Sequence, residues 1–129
     1  MIAGIGVDLC SIARMEKAVK GDHFVRRIFR PKEIAYANAK GNNRARAASF
    51  AAAFAAREAF AKASGISMYH LTLSSRICLE REEGQPPHLV VPPELDDGFT
   101  WGYKRAWVSL SHDGDYAVAV VVIEATAGP

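Results

Sequence analysis

Runs of apolar and polar positions divide the chain into predicted strands and helices. The stretch IAGIGV at residues 2–7 is apolar and partly β-branched, which predicts a buried strand ending at Asp8. LTLSSRICLE and HLVV predict two more strands, joined by a turn in REEGQPP. AWVSLSH and YAVAVVVIE predict a hairpin around DGD. The prolines of VVPPELDDGFTWGYKR predict a loop between these two pairs of strands.

The region between the first predicted strand and the next one has the apolar spacing of helices. Ser11 can cap a first helix, and residues 31–39 predict a second, which begins at a proline. The longest helix is predicted for residues 44–64, which hold eleven alanines and are followed by Gly65 as a stop.

A strand followed by helices and an antiparallel meander is typical of an α+β fold. We predict a single domain over residues 1–129, with a frayed tail at residues 125–129. Of the 129 residues, 50% are hydrophobic and 23% charged, as in ordinary globular proteins. The net charge of +2 is too small to indicate nucleic-acid or membrane binding. The longest apolar run, at residues 116–123, is too short to span a bilayer.

Cysteine usage and the N-terminus bear on the cellular compartment. Cys10 and Cys78 stand alone, without metal-ligand spacing, and a domain of this size does not need a disulfide. We therefore predict a reducing, cytoplasmic compartment. The N-terminus has no basic start and reaches Asp8 early, which argues against a signal peptide.

Three charged residues, Asp8, Glu58 and Lys62, raise the question of chemistry. Asp8 either caps the turn after its strand or presents a carboxylate to a crevice. Glu58 and Lys62 are four residues apart, the spacing of a surface ion pair worth about 0.2–0.5 kcal/mol. Alternatively, Asp8 and Glu58 together suit Mg²⁺, which takes one or two carboxylates with waters and substrate phosphates. Lys62 would then neutralise phosphate oxygens, and spacing alone leaves both alternatives open.

Arg57 projects from the apolar side of the same helix, between Phe50 and Phe60. Either its stem packs there while the guanidinium reaches water, or that side of the helix meets a polar partner. His112, in SLSHDGDYA, is either structural or exposed at the rim of the hairpin, or it contacts a ligand.

Three separated motifs, GIGVDLCSIARME, FAAREAFAK and SLSHDGDYAVAVVVIE, resemble in order and spacing those of the holo-acyl-carrier-protein synthases. These are the short class of 4′-phosphopantetheinyl transferases, and the resemblance extends over residues 1–124. It implies transfer of the phosphopantetheine arm of coenzyme A to a serine of apo acyl carrier protein, with release of 3′,5′-ADP. It also implies Mg²⁺ as the cofactor.

The resemblance assigns roles residue by residue. Asp8 and Glu58 match the Mg²⁺ ligands, and Lys62 matches a lysine expected against the pyrophosphate; these three are the implied catalytic residues. Ser111 and His112 match a segment that lies near coenzyme A, where His112 is expected to contact a phosphate.

The chain also departs from the family pattern. Arg57 stands where a lysine is common, and Gly65 begins GIS where the family usually has GTG. Ala53 stands where many members carry an arginine that helps to hold the 3′-phosphate, so Arg44 or Arg46 is expected to take over. The implied coenzyme A-binding residues are Arg44, Arg46, Arg57, Lys62, Gly65, Ser111 and His112.

Carrier proteins of this type are acidic, so the resemblance implies a basic docking face. Its candidate residues are Arg14, Phe24, Arg26 and Arg27, the alternative being an ordinary solvated helix face. A homotrimer with sites between neighbouring subunits is also implied, which would bury the Ala-rich helix. Two other interpretations are a transferase domain excised from a larger synthase and a non-catalytic module that binds coenzyme A or a nucleotide.

Overall fold

The computed structural model describes residues 1–73, 77–92 and 104–125. Five helices and five strands lie in these ranges, in the order β1 (Ile2–Ser11), α1 (Ile12–Ala18), α2 (Asp22–Ile28), α3 (Pro31–Asn38), α4 (Asn43–Ser64), α5 (Met68–Leu73), β2 (Cys78–Glu80), β3 (His88–Val90), β4 (Lys104–Asp113) and β5 (Tyr116–Ala125). An antiparallel sheet has the order β1-β5-β4, and β2 and β3 form a separate antiparallel pair. The predicted α+β fold is confirmed.

Helix α4 is the centre of the core, and its ends follow from local chemistry. The Asn42 side chain caps the N-terminus by accepting a hydrogen bond from Ala45 N at 2.8 Å. Gly65 ends the helix in the left-handed conformation, with φ of 79° and its N–H bonded to Ala61 O at 2.9 Å. The helix packs against β1, β5, α1 and α3, so most of its alanines are buried within one chain. A trimer is therefore not needed to bury them.

Two glycines allow α4 to lie directly against β1. A Cβ at Gly4 would lie 2.0 Å from Ala63 O, and one at Gly6 would lie 2.0 Å from Ala59 O. Only glycine permits such close approach of helix and strand backbones. Because side chains alternate along a strand, Asp8 follows these glycines on the face of β1 that α4 covers.

The structure corrects two predictions about β1. The strand continues through Asp8, which pairs with Ala119, and ends at Ser11. It is also not buried on both faces, because Ile5, Val7 and Leu9 are exposed on the side away from α4. The sheet thus has one face on the core and one apolar face that no described residue covers.

Other boundaries differ from the predictions as well. The residues LTL, predicted as strand, end α5, and the strand there begins only at Cys78. Residues 22–28 form the unpredicted helix α2. Ala125 belongs to β5 rather than to a frayed tail, and its N–H bonds Met1 O at 2.8 Å. Residues 93–103 of the predicted loop and 126–129 of the tail lie outside the described residues. In the described ranges, no helix is long and apolar enough to cross a membrane.

Candidate active site

Asp8 of β1 and Glu58 of α4 line the same cleft, which we call the carboxylate cleft. The glycine contacts hold the two elements together, and Glu58 precedes Ala59, the residue whose carbonyl oxygen lies against Gly6. The cleft has a volume of about 390 Å³. Its lining residues are Asp8, Leu9, Cys10, Ser11, Arg14, Met15, Ala18, Phe24, Phe54 and Glu58. The fold therefore brings together two carboxylates that lie far apart in the sequence.

Electrostatics in the carboxylate cleft favour a bound cation. Burial raises the pKa of Glu58 above its ordinary value, the negative charge of Asp8 raises it further, and Lys62 opposes the shift. Among the described residues, no group of three or more His, Cys, Asp or Glu side chains could hold a metal. Two carboxylates without a third protein ligand fit Mg²⁺, which keeps several waters and binds substrate phosphates.

Lys62 contacts the strand rather than its neighbour on the helix. Its ammonium lies 3.3 Å from Asp8 Oδ1 and donates to Val7 O at 3.0 Å. The side chain of Lys62 is 57% exposed and that of Asp8 is 18% exposed. The simple surface pair between Glu58 and Lys62 is therefore not the arrangement in the described structure. Lys62 instead places its positive charge next to Asp8, which lines the carboxylate cleft.

The structure contradicts the prediction that Arg57 contacts coenzyme A. Arg57 is 1% exposed, and its two terminal nitrogens form a bidentate ion pair with Glu33, one of them at 2.6 Å from Oε2. Arg57 also donates to Ala53 O at 3.1 Å and Ile77 O at 3.2 Å, while Glu33 accepts from Leu79 N at 3.0 Å. The polar partner of this side of the helix is thus Glu33, an internal carboxylate whose contacts join α3, α4 and β2.

Ser111 and His112 line a second cleft, of about 290 Å³, which we call the Tyr36 cleft. Its lining residues are Tyr36, Lys40, Ala45, Ala48, Ser49, Ala52, Arg81, Leu110, Ser111 and His112. In the register of β4 and β5, Ser111 pairs with Val118 and His112 with Ala117. Their side chains therefore leave opposite faces of the sheet. The two clefts share no described lining residue, so one chain does not place His112 beside Asp8.

Arg44 and Arg46 are engaged within the chain. Arg44 donates to Gly114 O at 3.0 Å and lies 3.1 Å from Asp115 Oδ1, which ties the start of α4 to the β4–β5 turn. Arg46 donates to Asn38 Oδ1 at 2.8 Å and stacks over the Phe50 ring. Neither arginine lines either cleft, so their predicted contacts with coenzyme A stay predictions. Gly65 ends α4 shortly after Lys62, and its predicted contact also stays a prediction.

Part of the predicted docking face meets the carboxylate cleft. Arg14 and Phe24 line it together with Glu58. Phe24 is half-buried and packs edge-on against the Phe29 ring, with centroids 6.2 Å apart. Arg26 and Arg27 are exposed on α2. Arg14 and Phe24 therefore lie at the carboxylate cleft, and the docking role of all four residues stays a prediction.

Tyr36, Lys40 and Arg81 line the Tyr36 cleft but carry no sequence motif that would have marked them. Glu33 had one indication, since it stands three residues after Arg30, whose N–H it accepts at 2.7 Å in a capping box. That spacing indicates a helix start and does not reveal the ion pair with Arg57.

Comparisons with known proteins agree on one family. A family model described as the 4′-phosphopantetheinyl transferase superfamily matches residues 4–121. A holo-[acyl-carrier-protein] synthase of Bordetella pertussis is 39% identical over 132 residues, covering 99% of this chain and 86% of that protein. A protein of the same name from Chlamydia trachomatis is 39% identical over 123 residues, covering 94% of this chain and 98% of that one.

A solved structure is similar along the whole chain. The crystal structure of a holo-(acyl-carrier-protein) synthase from Bacillus anthracis in complex with CoA (3′,5′-ADP) aligns with a TM-score of 0.77 and 30% identity. The alignment covers 98% of this chain and 99% of that one.

Proposed function

The chain belongs to the 4′-phosphopantetheinyl transferase superfamily, and on this premise we propose how its carboxylate cleft works. It is a holo-acyl-carrier-protein synthase: it transfers the 4′-phosphopantetheine arm of coenzyme A to a serine of apo acyl carrier protein and releases 3′,5′-ADP. The observation that carries the proposed mechanism is the shared cleft of Asp8 and Glu58, with Lys62 on Asp8.

Asp8 and Glu58 are the residues that would hold Mg²⁺. Burial raises the pKa of Glu58 and the charge of Asp8 raises it further, so a cation bound between the two carboxylates would favour their ionised forms. When bound, Mg²⁺ supplies positive charge to the phosphate oxygens of coenzyme A.

The chain's own groups then serve the transfer. The serine oxygen attacks the β-phosphorus of coenzyme A, forming a new P–O bond while the bond to the departing 3′,5′-ADP breaks. A cleft carboxylate takes the serine proton, directly or through a water that it holds. Lys62, whose side chain is 57% exposed, can reach the departing phosphate and stabilise its charge.

We propose that the two clefts serve one reaction across subunits. The carboxylate cleft of one subunit and the His112 segment of its neighbour would form the two sides of a coenzyme A site in a homotrimer. The outer face of the sheet supports such an assembly, because Ile5, Val7, Leu9 and Trp107 are 52% or more exposed there. A contiguous apolar face of this kind marks an interaction surface, here with further copies of the chain.

Arg14, Phe24, Arg26 and Arg27 are proposed to dock the acidic carrier protein at the entrance of the carboxylate cleft. Arg14 lines that cleft and is exposed, so a carrier bound to it would deliver its serine near Asp8 and Glu58. Arg14→Glu should raise the KM for the carrier by about tenfold or more and leave the KM for coenzyme A nearly unchanged. An equal rise in both KM values would contradict docking at Arg14.

We also propose a cytoplasmic location. Its support is that Cys10 and Cys78 are both free thiols, as expected of a chain kept in a reducing compartment.

The reaction is tested by incubating the protein with apo carrier protein, coenzyme A and Mg²⁺ and measuring the mass of the carrier by mass spectrometry. The carrier should gain one phosphopantetheine arm. Glu58→Gln should lose at least about a hundredfold in kcat while its thermal unfolding shows an intact fold. Glu83→Gln, at an exposed position outside both clefts, is the matched control. Unmodified carrier with the wild-type enzyme would favour a non-catalytic coenzyme A-binding module, and a fully active Glu58→Gln would remove the metal-ligand role.

A further inference from the structure

The Tyr36 cleft carries a charge opposite to that of the carboxylate cleft. Lys40, Arg81 and His112 line it, and its described lining includes no Asp or Glu. The residues of α4 that line it are small, namely Ala45, Ala48, Ser49 and Ala52. A ligand would therefore make its polar contacts with the few larger side chains of the cleft. A concave site with convergent basic groups is suited to an anion.

Arg81 has unused capacity for binding. Its guanidinium stacks on the Tyr36 ring, with Cζ 4.2 Å from the centroid, and donates to Ser49 O at 3.1 Å. Nε is buried without a hydrogen-bond partner, and no carboxylate forms an ion pair with Arg81 in the described part of the chain. Burial lowers the pKa of Arg81 below its ordinary value. A cation that is largely desolvated and unpaired is costly, and a bound anion relieves that cost.

Lys40 adds a second cation to the same aromatic ring. Its Nζ lies 4.3 Å from the Tyr36 centroid, close to the corresponding distance of Arg81. The ring attracts both cations, and both side chains also line the Tyr36 cleft. An anion bound in the cleft would therefore face two positive charges.

The size of the cleft limits its ligand. About 290 Å³ accommodates a phosphate with part of a nucleotide and is too small for a whole cofactor of the size of coenzyme A. Arg44 and Arg46, the expected substitutes for an arginine at position 53, are engaged elsewhere, and Ala53 is fully buried.

We propose that Arg81 and Lys40 bind the 3′-phosphate of coenzyme A in the Tyr36 cleft. The inference rests on the proposed function and adds to it the residues that recognise the nucleotide end. They replace the arginine contact that position 53 does not supply in this chain. Both cations act in binding and orientation, since neither lines the carboxylate cleft.

Isothermal titration with 3′,5′-ADP and with 5′-AMP isolates the contact to the 3′-phosphate. The wild type should bind 3′,5′-ADP more tightly. Lys40→Gln and Arg81→Gln should each reduce that preference by about tenfold, the loss of one charge-assisted hydrogen bond, and leave the affinity for 5′-AMP close to its wild-type value. Lys32→Gln is the matched control, because it removes an exposed lysine of α3 that pairs with Glu80 instead.

Lys40 is exposed, so Lys40→Gln should keep the fold even if Arg81→Gln unfolds, which thermal melting would reveal. If Lys40→Gln and every folded Arg81→Gln sample keep the wild-type preference, the proposed phosphate site is wrong while the transferase reaction stands. If the wild type modifies carrier protein yet binds both nucleotides equally, the site is also wrong. If the wild type neither binds 3′,5′-ADP nor modifies carrier protein, the proposed function fails together with the site.

Discussion

Gly6 connects the packing of the fold directly to the geometry of the site. In Gly6→Ala, the added Cβ would lie 2.0 Å from Ala59 O and 3.0 Å from Ala63 N, both backbone atoms of α4. A side-chain rotation cannot relieve a contact with backbone, so helix and strand must separate. Restoring an acceptable distance to the carbonyl oxygen requires a displacement of about 1 Å.

This displacement should cost both stability and activity. Overpacking a tight interface costs about 1–3 kcal/mol, and a gap of about 1 Å between α4 and β1 also forfeits a quarter to a half of the dispersion energy there. We therefore expect a loss of about 3 kcal/mol, or about 10 °C in Tm. Because Glu58 precedes Ala59 and Asp8 follows Gly6 on the covered face of β1, their separation changes as well. Misplacement by about 1 Å can lower kcat about a hundredfold.

Urea unfolding at a fixed protomer concentration measures the change in stability, and the carrier-modification assay measures kcat. Gly41→Ala is the matched control, since no described heavy atom outside its chain neighbours lies within 4 Å of the Cβ it would add. The control should stay within about 0.5 kcal/mol of the wild type. The close approach of α4 to β1 would be refuted if Gly6→Ala were equally neutral and fully active.

Three further predictions follow from burial and exposure. Glu33→Ala should lower the free energy of unfolding, measured in urea, by about 3–5 kcal/mol, because it leaves the Arg57 charge buried and unpaired. Lys32→Ala, which removes an exposed ion pair, should cost under about 1 kcal/mol. Similar losses for the two variants would contradict the stabilising role of the buried pair. Burial, with the nearby Glu33 carboxylate, raises the pKa of the Cys78 thiol from 9.0 to about 11. Since the thiol of the unfolded chain ionises at lower pH, the free energy of unfolding should fall as pH rises from 9 to 11. Cys78→Ala should make this pH dependence less steep when it is measured by urea unfolding. An unchanged pH dependence would show that Cys78 does not contribute. Trp107→Lys should convert the proposed trimer to a monomer in light scattering, while Val90→Lys, at an exposed apolar position on β3, should not. A trimer that persists in Trp107→Lys would exclude Trp107 from the interface.

Elements defined by local interactions could be predicted from the sequence. The long helix was predicted at residues 44–64 and lies at Asn43–Ser64, because its cap, its alanines and its stopping glycine act within a few residues. The hairpin around DGD and the cap at Ser11 are local in the same sense. The motif resemblance identified the family for the same reason, since it needs only the order and spacing of residues.

Short apolar stretches gave less reliable predictions. LTL has the composition of a strand, yet it ends a helix, because runs of this length do not distinguish the two periodicities. The apolar composition of the first strand predicts burial throughout, but alternation along β1 leaves Ile5, Val7 and Leu9 exposed in the single chain. Which face of an element is covered depends on residues far away in the sequence.

By itself, then, the sequence determined the main elements, the family and the identity of the two carboxylates. Only the tertiary structure decided how the charges are paired. Arg57 and Glu58 are adjacent on one helix, yet Arg57 binds the distant Glu33 in the interior while Glu58 shares a cleft with Asp8. Pairing energies of this kind depend on desolvation and on distances between elements. Local spacing contains neither quantity, so the packing of α4 against β1 and α3 assigns each charge its role.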